Sequence, residues 1–376
     1  MNRTKYNQEK NKLISYYRNE FSFEHTGRTE MQFNIVSASL GNYLPAIDHA
    51  QHEAIYNDIL LNKKLSILEQ SAWFLADELQ TENLGADTLR LLKKGPSIVC
   101  TFHTGSYRMI NHFLVKQQVP FTLVMGNAVI EKEGQLFFEL YQRLQGARPD
   151  ALRLLNAEDP RTGLQMLREL KSGRVLVLYI DGNTGAGSNT RDNANHCVVD
   201  LLTQQVYARK GIAYLAHAAQ VPILPVACYR TERGAISLRF FDLLFPEGKD
   251  RQLFASTATQ RIYDLIAPMI RQYPEQWEGW LYIHHMAMIQ PVADESFCAT
   301  MMNDRRLHFN RALFGIFKVN DTPFLIRKKD YSFYEIDRSL YELLKAAPSR
   351  SIYKACFEED LFNQLYRYRV LVDEAI

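Results

Sequence analysis

The chain has 376 residues, a formal net charge of +2 from 44 Lys plus Arg against 42 Asp plus Glu, and a hydrophobic fraction of 47%. That length and apolar content suffice for a full core and suggest two domains, or one large domain with an appendage. The near-balanced charge gives no reason to expect a nucleic-acid partner. Five cysteines, Cys100, Cys197, Cys228, Cys298 and Cys356, are widely spaced with no C-x-x-C pair. This argues against a disulfide framework or a zinc site and for reduced thiols. No run approaches the roughly 18–20 apolar residues of a membrane-spanning helix. The N-terminus, Met1 to Gln8, is polar and has no signal core. The expected location is cytoplasmic, with at most peripheral contact at the inner membrane.

In chain order, residues 1–85 read as a helical layer covering the main domain. Ile55 to Leu61 and Leu65 to Leu79 carry apolar groups at three-to-four spacing, after a break at Leu40 to Pro45. From Asp87 the texture alternates. A helix from Asp87 to Lys94 precedes a strand from Ser97 to Phe102, and a helix from Ser106 to Gln117 precedes a strand from Pro120 to Met125. A helix from Thr162 to Lys171 leads into the most apolar strand, Arg174 to Ile180. Ala208 to Gln220 reads as helix, Val221 to Arg230 as strand, Ala235 to Leu244 as an edge strand and Thr257 to Gln272 as helix. Helices alternating with short, continuously apolar strands predict an α/β domain over 86–288, with a mixed, mostly parallel sheet buried on both faces. Residues 289–376 read as a small α+β module: a hairpin, Phe314 to Val319 and Pro323 to Lys328 around Asn320-Asp321, then helices at Ser339–Ala346 and Leu361–Arg369.

In an open α/β sheet the chemistry sits beyond the carboxyl ends of the strands. Two loops stand there: His103 to Arg108 after the first strand, and Asp181 to Gly187 after the most apolar one. His103 is the candidate general base, able to take a proton from an attacking hydroxyl or amine. Gly105 allows close backbone approach, and the helix start that follows offers N–H groups to a developing oxyanion. Asp181 either orients His103 or is a turn aspartate before Gly182. Gly182, Gly185 and Gly187 lack the spacing of a dinucleotide fingerprint. His284 and His285 have no Cys, Asp or Glu at ligand spacing, so no metal is expected. Ser106 lies near His103 but in no G-x-S-x-G elbow.

Four stretches, in order across residues 85–285, resemble the lysophospholipid acyltransferase superfamily, most closely its lipid A late (lauroyl/myristoyl) acyltransferase branch. They are Thr101 to Arg108, Tyr179 to Asn183, Ile223 to Arg230, and Pro274-Glu275-Gln276-Trp277 with Trp280. The resemblance implies transfer of a fatty acyl group from an acyl-carrier-protein or coenzyme A thioester to a hydroxyl or amine, in lipid biosynthesis. The thioester is a co-substrate and no separate cofactor is implied. It makes His103 and Asp181 the catalytic candidates, and Gly105, Ser106, Arg108, Asn183, Arg230 and Trp277 substrate contacts. By residue type alone, Arg230 is equally a solvated strand-end arginine, and Trp277 and Trp280 are core residues.

The sequence departs from that branch where the family has an acid five residues after its histidine; here the position holds Arg108. An arginine cannot accept the imidazole N–H, and its charge lowers a neighbouring histidine's pKa. Either Asp181 or Asp192 orients His103 instead, or Arg108 binds an anionic group such as a phosphopantetheine phosphate, or the chemistry is altered or lost. Asp200 to Thr203 replaces a Phe-Phe-Gly stretch, and the family's N-terminal membrane anchor is missing. These departures imply a soluble relative whose acceptor is not lipid A. The module after residue 291 lies outside the resemblance and is similar in its element order to winged-helix peptide-recognition domains, which would make a peptide or carrier-bound amine the acceptor; otherwise it is a dimerising or stabilising appendage. Arg305, Arg306, Arg327, Lys328 and Lys329 are candidates to face an acidic carrier or a membrane. The competing functions are a non-catalytic acyl- or carrier-binding protein and a thioesterase.

Overall fold

The computed structural model describes residues 1–145, 152–182, 195–288, 306–346 and 352–373. Its helices are α1 (Arg3–Ser15), α2 (Gly27–Tyr43), α3 (His52–Gln70), α4 (Leu75–Glu78), α5 (Ala86–Lys94), α6 (Met109–Lys116), α7 (Asn127–Gln145), α8 (Thr162–Lys171), α9 (Gly211–Ala219), α10 (Arg251–Gln272), α11 (Arg338–Ala346) and α12 (Glu359–Arg367). Its strands are β1 (Gln80–Glu82), β2 (Ser97–Thr101), β3 (Phe121–Met125), β4 (Leu152–Asn156), β5 (Val175–Tyr179), β6 (His196–Leu201), β7 (Gln204–Arg209), β8 (Ile223–Arg230), β9 (Ile236–Phe240), β10 (Leu307–Phe309), β11 (Phe314–Val319), β12 (Thr322–Arg327), β13 (Ser332–Glu335) and β14 (Leu371–Asp373). No described helix is long and apolar enough to cross a membrane.

The chain forms two compact units, residues 1–20 with 57–287 and residues 21–56 with 288–376. Residues 21–56, grouped by sequence with the N-terminal helical layer, thus fall in the second unit.

The first unit is α/β, built on a seven-stranded sheet in the order β1-β9-β8-β2-β5-β3-β4. Strands β8, β2, β5, β3 and β4 are mutually parallel; β9 runs antiparallel to β8 and parallel to β1. Every residue of β2 and β8 is buried, as their apolar cores, Ile98 to Cys100 and Ile223 to Cys228, require of central strands covered on both faces. The register sets Thr101 of β2 beside Tyr179 of β5. The Ile180 N–H continues the pairing to the Thr101 carbonyl at 3.0 Å. The two strands therefore end level, and the residues two beyond each end, His103 and Asp181, come out side by side.

Three local expectations are corrected. The strand read as an edge, Ala235 to Leu244, is β9, which is flanked by β8 and by the short β1. The segment read as one helix, Ala208 to Gln220, begins in β7, and α9 starts only at Gly211. Val206 and Ala208 are buried as alternate residues of a hairpin with β6, so cross-strand pairing overrides the local helical pattern. The helix expected from Ser106 begins at Met109, because Ser106 to Arg108 form a turn.

In the second unit, β11, β12 and β13 form an antiparallel sheet. The hairpin expected at Asn320-Asp321 is present, with both residues in the left-handed region at φ 48° and 67° that a tight hairpin turn requires. Ile35 of α2 packs on Phe317 and Ile326 of that sheet. A separate core joins β10, β14, α11 and α12 through Leu307, Leu344, Phe362 and Leu371.

Candidate active site

The Asp181 carboxylate is fully buried and accepts from three donors. The His103 ring Nδ1 lies 2.8 Å from Oδ1, the His103 backbone N–H reaches both oxygens at 3.0 and 3.2 Å, and Trp277 donates its indole N–H to Oδ2 at 2.8 Å. The carboxylate thus fixes both the backbone and the ring of His103, with the proton on Nδ1 and Nε2 left as the acceptor nitrogen. Nε2 has no hydrogen-bond partner among the described residues, and the side chain keeps 22% exposure. The imidazole stacks on Tyr179 at 4.6 Å between centroids and meets the Tyr107 ring edge-on at 4.8 Å. Burial disfavours the imidazolium, but the charge and hydrogen bond of Asp181, with the charge of Glu278, outweigh it. Arg108 opposes them, and the net shift of His103 is upward from its ordinary value.

The loop that carries His103 is clamped by the segment 274–285. The Glu278 N–H donates to the His103 carbonyl at 2.9 Å, and the Gly105 N–H to the Gln276 carbonyl at 2.7 Å. The Gln276 side chain acts like an added strand residue against β8, accepting from the Arg230 N–H at 2.7 Å and donating to its carbonyl at 2.8 Å. Trp280 is fully buried and donates to the Pro274 carbonyl at 2.8 Å, closing the segment on itself. Gly105 sits at φ +51°, and a Cβ there would meet Tyr229 Cα at 2.7 Å and the Cys228 carbonyl oxygen at 2.9 Å. Its role is this close approach; its N–H is already taken by Gln276. Gly105→Ala is accordingly expected to destabilise the fold by about 2–4 kcal/mol, from backbone strain plus overpacking. A thermal melt no lower than that of the parent would refute this.

The other residues named from sequence divide clearly. Ser106 is fully buried and donates to Glu69. Arg230 is buried, with Nε and Nη2 on the Glu69 carboxylate at 3.0 and 2.5 Å and Nη1 on Asn62. Ser106 and Arg230, expected as substrate contacts, are instead members of one internal network that joins α3 to β8 and to the His103 loop. A buried guanidinium needs a counter-charge, and Glu69 of α3 supplies it. Trp277, also expected to touch substrate, is fully buried and holds Asp181. Asn183 lies outside the described residues, as does Asp192.

Arg108 stands at the start of α6 with its side chain 12% exposed, paired with Glu133 of α7 and donating from Nη1 to Gln70 at 2.7 Å. Its Nε is buried without a partner among the described residues. Asp181, two residues past the end of β5, is the carboxylate on the His103 ring, and the charge of Arg108 is balanced by Glu133. Sequence reasoning missed Glu69, Gln70, Glu133, Tyr107, Tyr179 and Glu278. The tyrosines flank the two candidate loops and could have been found from that position; the glutamates and the glutamine carry no motif and are brought in only by α3, α7 and the 274–285 segment.

A buried carboxylate holding an imidazole at the carboxyl ends of parallel strands can support proton transfer from a nucleophile. The chain belongs to the bacterial lipid A biosynthesis acyltransferase family, whose pattern it matches over residues 40–311. Among solved structures it is similar to the 1-acyl-sn-glycerophosphate (LPA) acyltransferase PlsC from Thermotoga maritima, at 11% identity and a TM-score of 0.32, covering 64% of this chain and 97% of that one. It is also similar to the pilus retraction motor PilT with bound ADP, at 14% identity and a TM-score of 0.26, covering 54% of this chain and 61% of that one. At these scores neither likeness bears on the reaction. No curated protein matches the chain.

Proposed function

We propose that this protein transfers a fatty acyl group from an acyl-carrier-protein or acyl-CoA thioester to a hydroxyl or amine, with His103 as general base. The observation that carries the proposal is the His103–Asp181 pair, with Nδ1 bound and Nε2 without a partner among the described residues. In this reaction Nε2 takes the acceptor's proton as its oxygen or nitrogen bonds to the thioester carbonyl carbon. Collapse of the tetrahedral intermediate breaks the C–S bond, and the imidazolium returns the proton to the departing thiolate. Asp181 stabilises the imidazolium, and Trp277 holds Asp181. Arg108 Nε, a buried donor without a partner among the described residues, is assigned to an anionic group of the bound substrates, either the developing oxyanion or a phosphate of the donor. The departures from the family pattern at Arg108 and at Asp200 to Thr203 favour an acceptor other than lipid A, a peptide or a different lipid, met in the cytoplasm or at the surface of the inner membrane.

The test is product formation from acyl-carrier protein or acyl-CoA over a panel of alcohols and amines, followed by mass spectrometry. Acyl ester or amide that disappears in His103→Ala supports the proposal. Undiminished product in that variant removes His103 from the mechanism, free fatty acid regardless of acceptor indicates a thioesterase, and thioester binding without turnover indicates a binding protein. A base must be neutral to act, so kcat/KM rises with pH through the pKa of His103 in the free enzyme. Because that pKa is raised, the acid limb is expected above the ordinary histidine value of about 6.5. Arg108→Gln, which removes the opposing charge, moves the limb to still higher pH; a limb shifted to lower pH contradicts this electrostatic account.

A further inference from the structure

The second unit contains a cavity of about 160 Å³ with no part in the proposed acyl transfer. That is close to the size of a void that holds a benzene ring. Phe23, Phe33, Phe309, Phe314 and Ile316 supply apolar wall. His49, Arg311 and Lys328 also line it. Lys328, which the sequence suggested for an acidic carrier or a membrane surface, is buried at 4% exposure. Its ammonium donates to Ser37 Oγ at 2.9 Å, His49 Nε2 at 3.1 Å and the Arg311 carbonyl at 2.7 Å, and it has no carboxylate partner among the described residues. The Arg311 guanidinium and His49 Nδ1 likewise have no hydrogen-bond partner among the described residues.

These groups oppose one another. Burial, then the charge of Arg311, push Lys328 down to about 7. Burial and the charges of Lys328, His52 and Arg311 push His49 down to about 4, against the pull of Asp48. Lys328 and His49 are thereby driven toward their neutral forms beside the exposed, charged Arg311, and an anion bound on this lining would favour their charged forms. The carboxylates that line the cavity limit which anion fits. Glu30 is held by Lys345 at 3.0 Å and by the Tyr341 hydroxyl at 3.2 Å. Glu53 is raised by burial and by Glu24, with Arg311 opposing. Neither Glu24 nor Glu53 has an ion-pair partner among the described residues, so a dianion would meet their repulsion.

We propose that this cavity binds a small monocarboxylate with an apolar body, its carboxylate held by Arg311 and His49 in the field of Lys328 and its hydrocarbon among the phenylalanines. Since the three Lys328 donors are already engaged, Lys328 supplies charge and Arg311 and His49 supply contact. Binding takes up a proton at Lys328, so affinity falls as pH rises through the free-state value of that group.

The experiment is calorimetric titration of the full chain with benzoate, at about pH 6.5 and about pH 8.5, with inorganic phosphate and benzylamine in parallel. The expected result is saturable benzoate binding that is about tenfold tighter at the lower pH. Loss of a charged contact is expected to weaken it about tenfold in Arg311→Ala, whose exposed side chain makes folding secure. Lys328→Met is expected to remove most of the pH dependence, while His103→Ala leaves binding unchanged and so separates this site from acyl transfer. Benzoate that does not saturate, parent-like affinity in Arg311→Ala, or binding lost with His103→Ala would overturn the proposal. So would phosphate or benzylamine binding as tightly as benzoate.

Discussion

Asp181→Asn is expected to lower kcat by up to about 10,000-fold while the protein stays folded. The carboxylate accepts from the ring Nδ1–H, from the backbone N–H of the same histidine and from the Trp277 indole, and an amide has only one oxygen for three donors. If the amide NH2 faces the imidazole, the ring takes the other tautomer, with the proton on Nε2, and can no longer act as a base. If it faces Trp277, a buried indole N–H is left unpaired, at about 1–3 kcal/mol. The same substitution removes the main influence that raises His103, leaving burial and Arg108 to lower it against the charge of Glu278 alone. The residual activity should therefore show its acid limb at lower pH than the parent. A large fall in kcat with an unmoved limb would mean that Asp181 matters only for folding, and kcat within about tenfold of the parent would remove it from the mechanism.

The second large effect is on stability. Glu69→Gln leaves the Arg230 guanidinium buried without its counter-charge and weakens the acceptor for Ser106. A cost of about 3–5 kcal/mol is expected in a urea or thermal melt, as for one-sided removal from a buried ion pair. Glu69→Leu combined with Arg230→Met removes both charges and should be much milder than the sum of the single changes, since buried pairs can often be replaced by apolar residues of similar volume. The cycle also decides between a structural and a substrate-binding Arg230. An Arg230→Met variant with a parent-like melt and a raised KM for the acyl donor would restore the substrate contact that the observed geometry replaces.

Much of the first unit is legible without coordinates because its signals are local. Ile98 to Cys100 and Val175 to Tyr179 are continuous apolar runs, a pattern that fits strands covered on both faces. Asn320-Asp321 between apolar runs is a hairpin signal for the same reason. The errors arise where a segment's partner is distant. Val206 and Ala208 pair with Val199 and Cys197 in a hairpin, and nothing in 204–209 alone distinguishes that from the start of α9. Arg230 reads as an exposed strand end until Glu69, from a helix 161 residues earlier in the chain, is placed against it. Lys328 ends an apolar strand run in a cluster of basic residues, and only the contacts from Ser37, His49 and the Arg311 carbonyl put its ammonium inside.

The segment Thr101 to Arg108 shows the same division within eight residues. The sequence by itself determined that a buried strand ends there, that a histidine follows it, and that the acid expected at position 108 is an arginine. Only the tertiary structure decided what that substitution means. The register of β2 against β5 brings Asp181, 78 residues away, to 2.8 Å from the His103 ring, and α7 brings Glu133 to Arg108. Periodicity reports which face of an element is buried, whereas the partner of a buried charge is set by strand register and helix packing, which join residues that share no local pattern.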